Sequence, residues 1–194
     1  MLETDRELFE LINGLAGESR LLDNVIRVLV SDFFLPVVLS LATFTLWFYG
    51  RTPEVRYKGQ WAFLYAAVGV GFSNLVVTIF NSAIDRQRPF WTLEDVNVLF
   101  YRPTDPSFPS NAAAFAFALA AGVLLVRPRW GLLIGLGATL FSFARVYAGM
   151  HFPLDVVSGA LIGILTTFFF AYVLNRLRWI VDWALGILRH FYLA

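Results

Sequence analysis

A chain of 194 residues that is 58% hydrophobic and only 15% charged is poorly suited to water, because a soluble domain carries about 25% charged residues. It has no cysteine, which excludes disulfides and thiolate chemistry. The formal net charge of +1 gives no reason to expect a nucleic-acid partner.

Taken in chain order, residues 5–16 place Leu8, Leu11, Ile12 and Leu15 on one helical face opposite Glu7 and Glu10, which predicts an amphipathic helix lying at the membrane interface. The acidic start lacks a basic segment before an apolar run, so no cleaved signal peptide is expected. A first span is predicted over Val25–Tyr49, strongest from Phe33, with Asp32 near one end. Asp32 reads equally as a buried functional acid or as a helix start. Arg51–Gln60 reads as a polar turn and Trp61–Ile84 as the second span. A polar connection with four prolines follows, from Asp85 to Ser110. The third span is about Asn111–Val126 and the fourth about Trp130–Met150. His151 and Phe152 then form a break before Pro153, a favourable first helical residue, which opens a fifth span to Asn175. Residues 176–194 are apolar but interrupted by charge, which predicts an interfacial helix, with a short sixth span as the alternative.

The expected fold is therefore all-α, an integral membrane domain covering 1–194 with five spans, or six, and amphipathic helices at both ends. With five spans, the 51–60 turn, the 127–129 turn and the C-terminus share a side carrying eight basic residues against two acids. The positive-inside rule makes that side cytoplasmic and turns the 85–110 and 145–155 segments outward.

Three polar clusters fall at span ends on that outward side. They are Asp85-Arg86-Gln87-Arg88-Pro89-Phe90, Phe108-Pro109-Ser110-Asn111, and the run from Arg145 to Asp155. Arginine forks and a helix N-terminus are the groups that hold a phosphate, and Ser110 can cap the third span and leave the next amides free for an anion. Asp155 lies in the first turn after Pro153, within reach of His151. A carboxylate there can accept one imidazole proton, leaving the other nitrogen free to attack phosphorus and form a phosphohistidine. No Asp, Glu and His cluster has the spacing of a metal site, and no cofactor is expected.

Arg-Pro, then Pro-Ser, then Arg-x5-His-x3-Asp resembles the type-2 phosphatidic-acid phosphatase superfamily of membrane lipid phosphatases, over about residues 81–155. The resemblance implies an antiparallel helical bundle with its site at a membrane surface. It makes His151 the nucleophile, Asp155 its orienting partner, and Arg88, Arg145, Ser110 and nearby amides such as that of Asn111 the phosphate ligands. Two positions depart from the pattern. The lysine seven residues before the first arginine is Asn81, so Arg86 is the candidate to supply that charge, as in the similar bacterial undecaprenyl-diphosphate phosphatase branch. The histidine that acts as general acid is replaced by Ala112, and the chain's other histidine, His190, lies too near the C-terminus to be assumed a substitute. With the other site residues present, Ala112 reads as a histidine replaced deliberately, with a natural pseudoenzyme as the alternative.

The expected activity is removal of phosphate from undecaprenyl diphosphate in a bacterial cytoplasmic membrane, in a chain that Ala112 renders nearly inactive. Phosphatidylglycerophosphate, phosphatidate or lipid A phosphates are the alternative substrates, and a non-catalytic lipid-phosphate binder or carrier is the alternative class. Spans almost free of charge in their middles weigh against a carrier. Of the remaining polar and aromatic residues, Arg102 reads as a solvated loop residue, and Tyr147 and Phe90 as packing.

Overall fold

The computed structural model describes residues 3–190, all of whose regular structure is helical. The helices are α1 (Glu3–Asn13), α2 (Arg20–Leu29), α3 (Phe34–Phe48), α4 (Pro53–Ile84), α5 (Pro89–Thr92), α6 (Asn111–Leu124), α7 (Pro128–Tyr147), α8 (Pro153–Arg176) and α9 (Arg178–His190). Among them α4, α7 and α8 are long and apolar enough to cross a membrane. The pair α2 and α3 makes a fourth candidate, and α6 is a shorter apolar helix.

Residue size explains why α6 lies at the centre, against α4, α7 and α8. Its sequence alternates alanines with a few large residues, and Ala113, Ala114, Ala116, Ala118 and Val123 are wholly buried. In lipid, helices gain little from hiding apolar surface and associate through close packing of small residues. On α8, Gly159 and Gly163 form a G-xxx-G step against this surface. A Cβ at Gly159 would run into the Ser110 carbonyl oxygen, and one at Gly163 into that of Ala114. Gly159→Val is therefore expected to force α8 away from the start of α6, at a cost of about 1–3 kcal/mol. Thermal unfolding in detergent checks this, and an unchanged midpoint would contradict the packing.

Three expectations change. The first span is not one helix: the chain bends by 51° between α2 and α3, at Val30–Phe33, which puts Asp32 at the bend. The stretch read as a polar turn is mostly helix, because Thr52 accepts a cap bond from the Val55 amide (3.3 Å) and Pro53 suits the first turn. Finally, α1 is not merely interfacial. Asp5, Phe9 and Asn13, one stripe at i, i+4 and i+8, are buried against α7, α8 and the polar connection, while Leu8, Leu11 and Leu15 face outward. Phe9 stacks edge-on against Phe152 (centroids 5.2 Å apart), and Asn13 Nδ2 donates to the carbonyls of Tyr147 and Asn97 at 2.8 and 2.9 Å. The amphipathic C-terminal helix is α9; residues 191–194 lie outside the described part.

Candidate active site

The ends of α4, α6 and α7, the break after α7, the polar connection and the bend before α3 converge on a cavity of about 260 Å³. Its polar wall carries Arg88, Arg145, His151, Asn111, Asp32 and Asp105, and its apolar wall includes Ala112, Phe115 and Phe141. The structure thus brings five of the residues picked from the sequence to one cavity: His151, Arg88, Arg145, Asn111 and Ala112.

His151 sits in the break between α7 and α8 and is 2% exposed. Its Nδ1 is 3.0 Å from the Ser107 carbonyl oxygen and its Nε2 is 3.1 Å from Arg88 Nη1. A carbonyl only accepts and a guanidinium only donates, so the proton is on Nδ1 and the lone pair on Nε2. Burial pushes the imidazole down to about 4, and Arg88 and Arg145 act in the same direction, while Asp155 opposes them. Histidine-selective ¹⁵N spectra should show His151, assigned by its loss in His151→Ala, titrating near 4. A midpoint at or above 6.5 would contradict the buried neutral ring. The unfolded chain binds this proton more readily than the folded one, so stability falls as pH drops from about 6.5 towards 4.

The orienting partner of His151 differs from the expectation. Asp155 Oδ2 is 3.8 Å from Nδ1, beyond hydrogen-bond reach, and the Ser107 carbonyl takes that place. Asp155 works on the backbone instead: its Oδ2 accepts from the Phe152 amide (2.8 Å) and its Oδ1 from Arg86 Nη1 (2.6 Å). It fixes the turn that carries the imidazole. Ser107 is itself held by the Arg86 carbonyl, which accepts from its amide at 2.8 Å, so the polar connection is tied to the end of α4.

Arg86 also lies away from the cavity wall. It bridges Asp155 and Asp5 (2.6 Å each) and lies over the Phe152 ring, 4.4 Å from its centroid. Asp5 further accepts from the Leu154 amide at 2.8 Å, so α1 helps to close the N-terminus of α8. Breaking a buried pair strands a charge. Asp155→Ala should therefore lower stability by about 2–4 kcal/mol, with Asp155→Asn losing less because it keeps a cap acceptor. Denaturant unfolding of the two variants measures this, and equal midpoints with the parent would contradict it.

The two cavity arginines are each paired with a carboxylate. Arg88, 3% exposed, donates from Nε and Nη2 to the carbonyl oxygen and Oδ2 of Asp105 (2.9 Å each), and from Nη1 to the Met150 carbonyl (3.0 Å). Arg145 donates from Nη1 to Asp32 Oδ1 (2.6 Å), while its Nε is buried with no protein partner. Ser110 is wholly buried and its Oγ accepts from the Ala113 amide (3.4 Å), so its side chain caps α6 rather than lining the cavity. That cap leaves the amides of Asn111 and Ala112 without intrahelical partners at the cavity edge.

Four contributors were missed or left open by sequence reasoning. Asp32 and Asp105 clamp the arginines, the Ser107 carbonyl holds His151, and Asn74 joins Asn81 on the cavity wall. Asn74 and Asn81 are seven residues apart on α4, a spacing that puts both on one face, and each has a buried Oδ1 without a partner. Two polar residues at that spacing in an apolar span were the available signal. Arg102 lies over the Phe90 ring (5.7 Å), and Tyr147 is buried with its hydroxyl donating to the Leu15 carbonyl (2.8 Å).

The sequence model of the PAP2 superfamily matches residues 62–179, a stretch that carries Arg88, Ser110, Arg145, His151 and Asp155. The chain belongs to the PAP2 superfamily. This PAP2 chain is 27% identical over 177 residues to undecaprenyl-diphosphatase BcrC of Bacillus subtilis (strain 168), covering 91% of this chain and 87% of that one. It is 33% identical over 158 residues to an undecaprenyl-diphosphatase of Sulfolobus acidocaldarius, covering 81% and 72%. Its fold is similar to the crystal structure of Aquifex aeolicus LpxE, with a TM-score of 0.64 at 31% identity over 87% of this chain and 94% of that one. The PAP2 assignment and the apolar helices make it an integral membrane lipid phosphatase.

Proposed function

We propose that the site is built to remove the terminal phosphate of a polyprenyl diphosphate, with undecaprenyl diphosphate the preferred lipid, at the outer face of a bacterial cytoplasmic membrane. The observation that carries the reading is the lone pair of His151 Nε2, held beside Arg88 in a cavity shared with Arg145. The names of the two undecaprenyl-diphosphatase relatives support the choice of lipid. The outward orientation rests on the basic residues clustered at the other end of the helices, and five spans are proposed if α2–α3 and α6 each cross the membrane.

In this reading an arriving phosphate takes over the donors of Arg88 and frees Nε2. The imidazole lone pair forms a bond to phosphorus as the bridging P–O bond breaks, and the lipid monophosphate leaves with that electron pair. Arg88, Arg145 and the first amides of α6 meet the charge on the equatorial oxygens. Water then attacks the phosphohistidine, releasing inorganic phosphate and restoring His151. No step calls on a metal ion.

Ala112 stands on the cavity wall where the family resemblance puts the proton donor. Among the described residues of that wall, the remaining acids, Asp32 and Asp105, are both engaged with arginines. The chain as it stands is therefore proposed to be nearly inactive. The test is phosphate release from a panel of polyprenyl diphosphate, phosphatidylglycerophosphate, phosphatidate and lipid A, for this chain and for Ala112→His. Release fastest from the polyprenyl diphosphate supports the reading. Preference for another lipid replaces the substrate while keeping the chemistry, and binding without turnover in both chains would make the protein a lipid-phosphate binder.

A further inference from the structure

We propose that a second phosphate site, built for a hydroxyl-bearing phosphate headgroup of an anionic lipid, lies at the opposite end of α4 from the catalytic cavity. A cavity of about 300 Å³ there is lined by Arg51, Thr52, Pro53, Arg56, Gln60 and Arg189. Gln60 and Asn81 mark the two cavities along α4, 21 residues apart and hence separated by about 30 Å.

Three guanidinium groups reach this cavity from separate parts of the chain: the loop before α4, the first turns of α4, and α9. None is paired with a carboxylate among the described residues. The acids nearest in sequence are engaged elsewhere, Glu54 with Lys58 (2.8 Å), and Asp182 with Tyr57 (2.7 Å) and Arg178 (3.7 Å). The N-terminus of α4 adds its dipole to the same spot, since Thr52 is its cap and Pro53 its first residue.

An independent observation points to a ligand. Gln60 lies on this wall, is wholly buried, and leaves both Nε2 and Oε1 without a partner. A carboxamide removed from water with neither end satisfied is unfavourable, and native structures rarely leave one so. A phosphate oxygen would accept from Nε2 and from the arginines, and a headgroup hydroxyl would donate to Oε1. Both ends of the amide are met only by a group that offers an acceptor and a donor together. The lipid source is favoured by α9, where Trp179 and Trp183, one turn apart, are 73% and 68% exposed. Exposed tryptophans of this kind sit at headgroup level, and basic pockets at helix ends on the cytoplasmic side hold anionic headgroups.

The test uses the full chain in nanodiscs of phosphatidylcholine, with and without phosphatidylglycerol, read by thermal unfolding and by native mass spectrometry of retained lipid. Phosphatidylglycerol is expected to raise the unfolding midpoint and to remain bound. Arg51→Gln with Arg56→Gln should weaken its retention by about fivefold for each arginine removed. Gln60→Leu leaves the charge unchanged. It should raise the midpoint in phosphatidylcholine alone, because the unsatisfied amide is gone, yet lose the gain from phosphatidylglycerol. Loss of that gain separates a built site from diffuse attraction and does not depend on whether the variant is more or less stable overall. Soluble glycerol phosphate and inorganic phosphate form the other arm, and a gain from them equal to that from the lipid assigns the same site to a free phosphate. No gain from any phosphate, or a gain that survives Gln60→Leu, overturns the proposal.

Discussion

Replacing Ala112 with histidine is expected to raise phosphate release from a lipid diphosphate by about 10²–10⁴, the usual contribution of a general acid–base group. Ala112 is the second residue of α6 and shares the cavity wall with His151, Arg88 and Arg145. A longer side chain at that position enters the space where the leaving oxygen would sit, without moving the helix. The gain should also depend on the leaving group. An alkoxide departs poorly without a proton, whereas a phosphate departs as a stable anion, so the gain should be larger on a lipid monophosphate than on a diphosphate. Initial rates on both lipids measure it. No gain on either would show that Ala112 is not the missing proton donor's position.

His151→Ala is expected to remove turnover, with a loss on the order of 10⁴–10⁶ when introduced alongside Ala112→His, as for other covalent nucleophiles. The loss should reach the background set by Arg88, Arg145 and the α6 amides. Those groups remain in place in the variant, so lipid diphosphate should still bind within a few-fold of the parent affinity. A variant that loses binding and turnover together would make His151 a structural residue of the phosphate site rather than its nucleophile.

Much of the site could be read because it depends on short-range features. The Arg145–His151–Asp155 run spans one helix break, so its spacing alone predicts that these residues approach one another. The cap at Ser110 follows from a serine before an apolar alanine-rich run, and α6 does begin at Asn111 with Ser110 as its cap. Features that depend on distant partners or on backbone atoms stayed hidden. Asp32 could be read as a helix start until Arg145, 113 residues away, was found beside it. The bend at Val30–Phe33 has no proline or glycine within it to announce it. In α1, the buried stripe includes Asp5 and Asn13, which look like surface residues, and their partners Arg86 and Tyr147 are 81 and 134 residues away. The acceptor for His151 Nδ1 is a carbonyl of Ser107, and a carbonyl is present in every residue, so no sequence pattern marks it.

Arg86 and Asp155 show how a motif residue can lie behind the cavity wall rather than on it. Both were read as parts of the chemistry, one as a phosphate ligand and the other as a hydrogen-bond partner of the imidazole. Their observed bonds instead join α1, the polar connection and the start of α8. In the proposed mechanism the phosphate-binding role falls on Arg88, Arg145 and the first amides of α6, all at the one cavity, which is a narrower set than the sequence suggested.

The central claim, that His151 Nε2 attacks phosphorus in this cavity, is tested most directly by trapping the adduct. Lipid diphosphate carrying ³²P in its terminal phosphate would be mixed with the Ala112→His variant and quenched in alkali, which preserves phosphohistidine. Label recovered on the peptide containing His151, appearing before free phosphate and absent from His151→Ala, is the predicted result. Free phosphate released without any labelled peptide, or label carried by another residue, would contradict it.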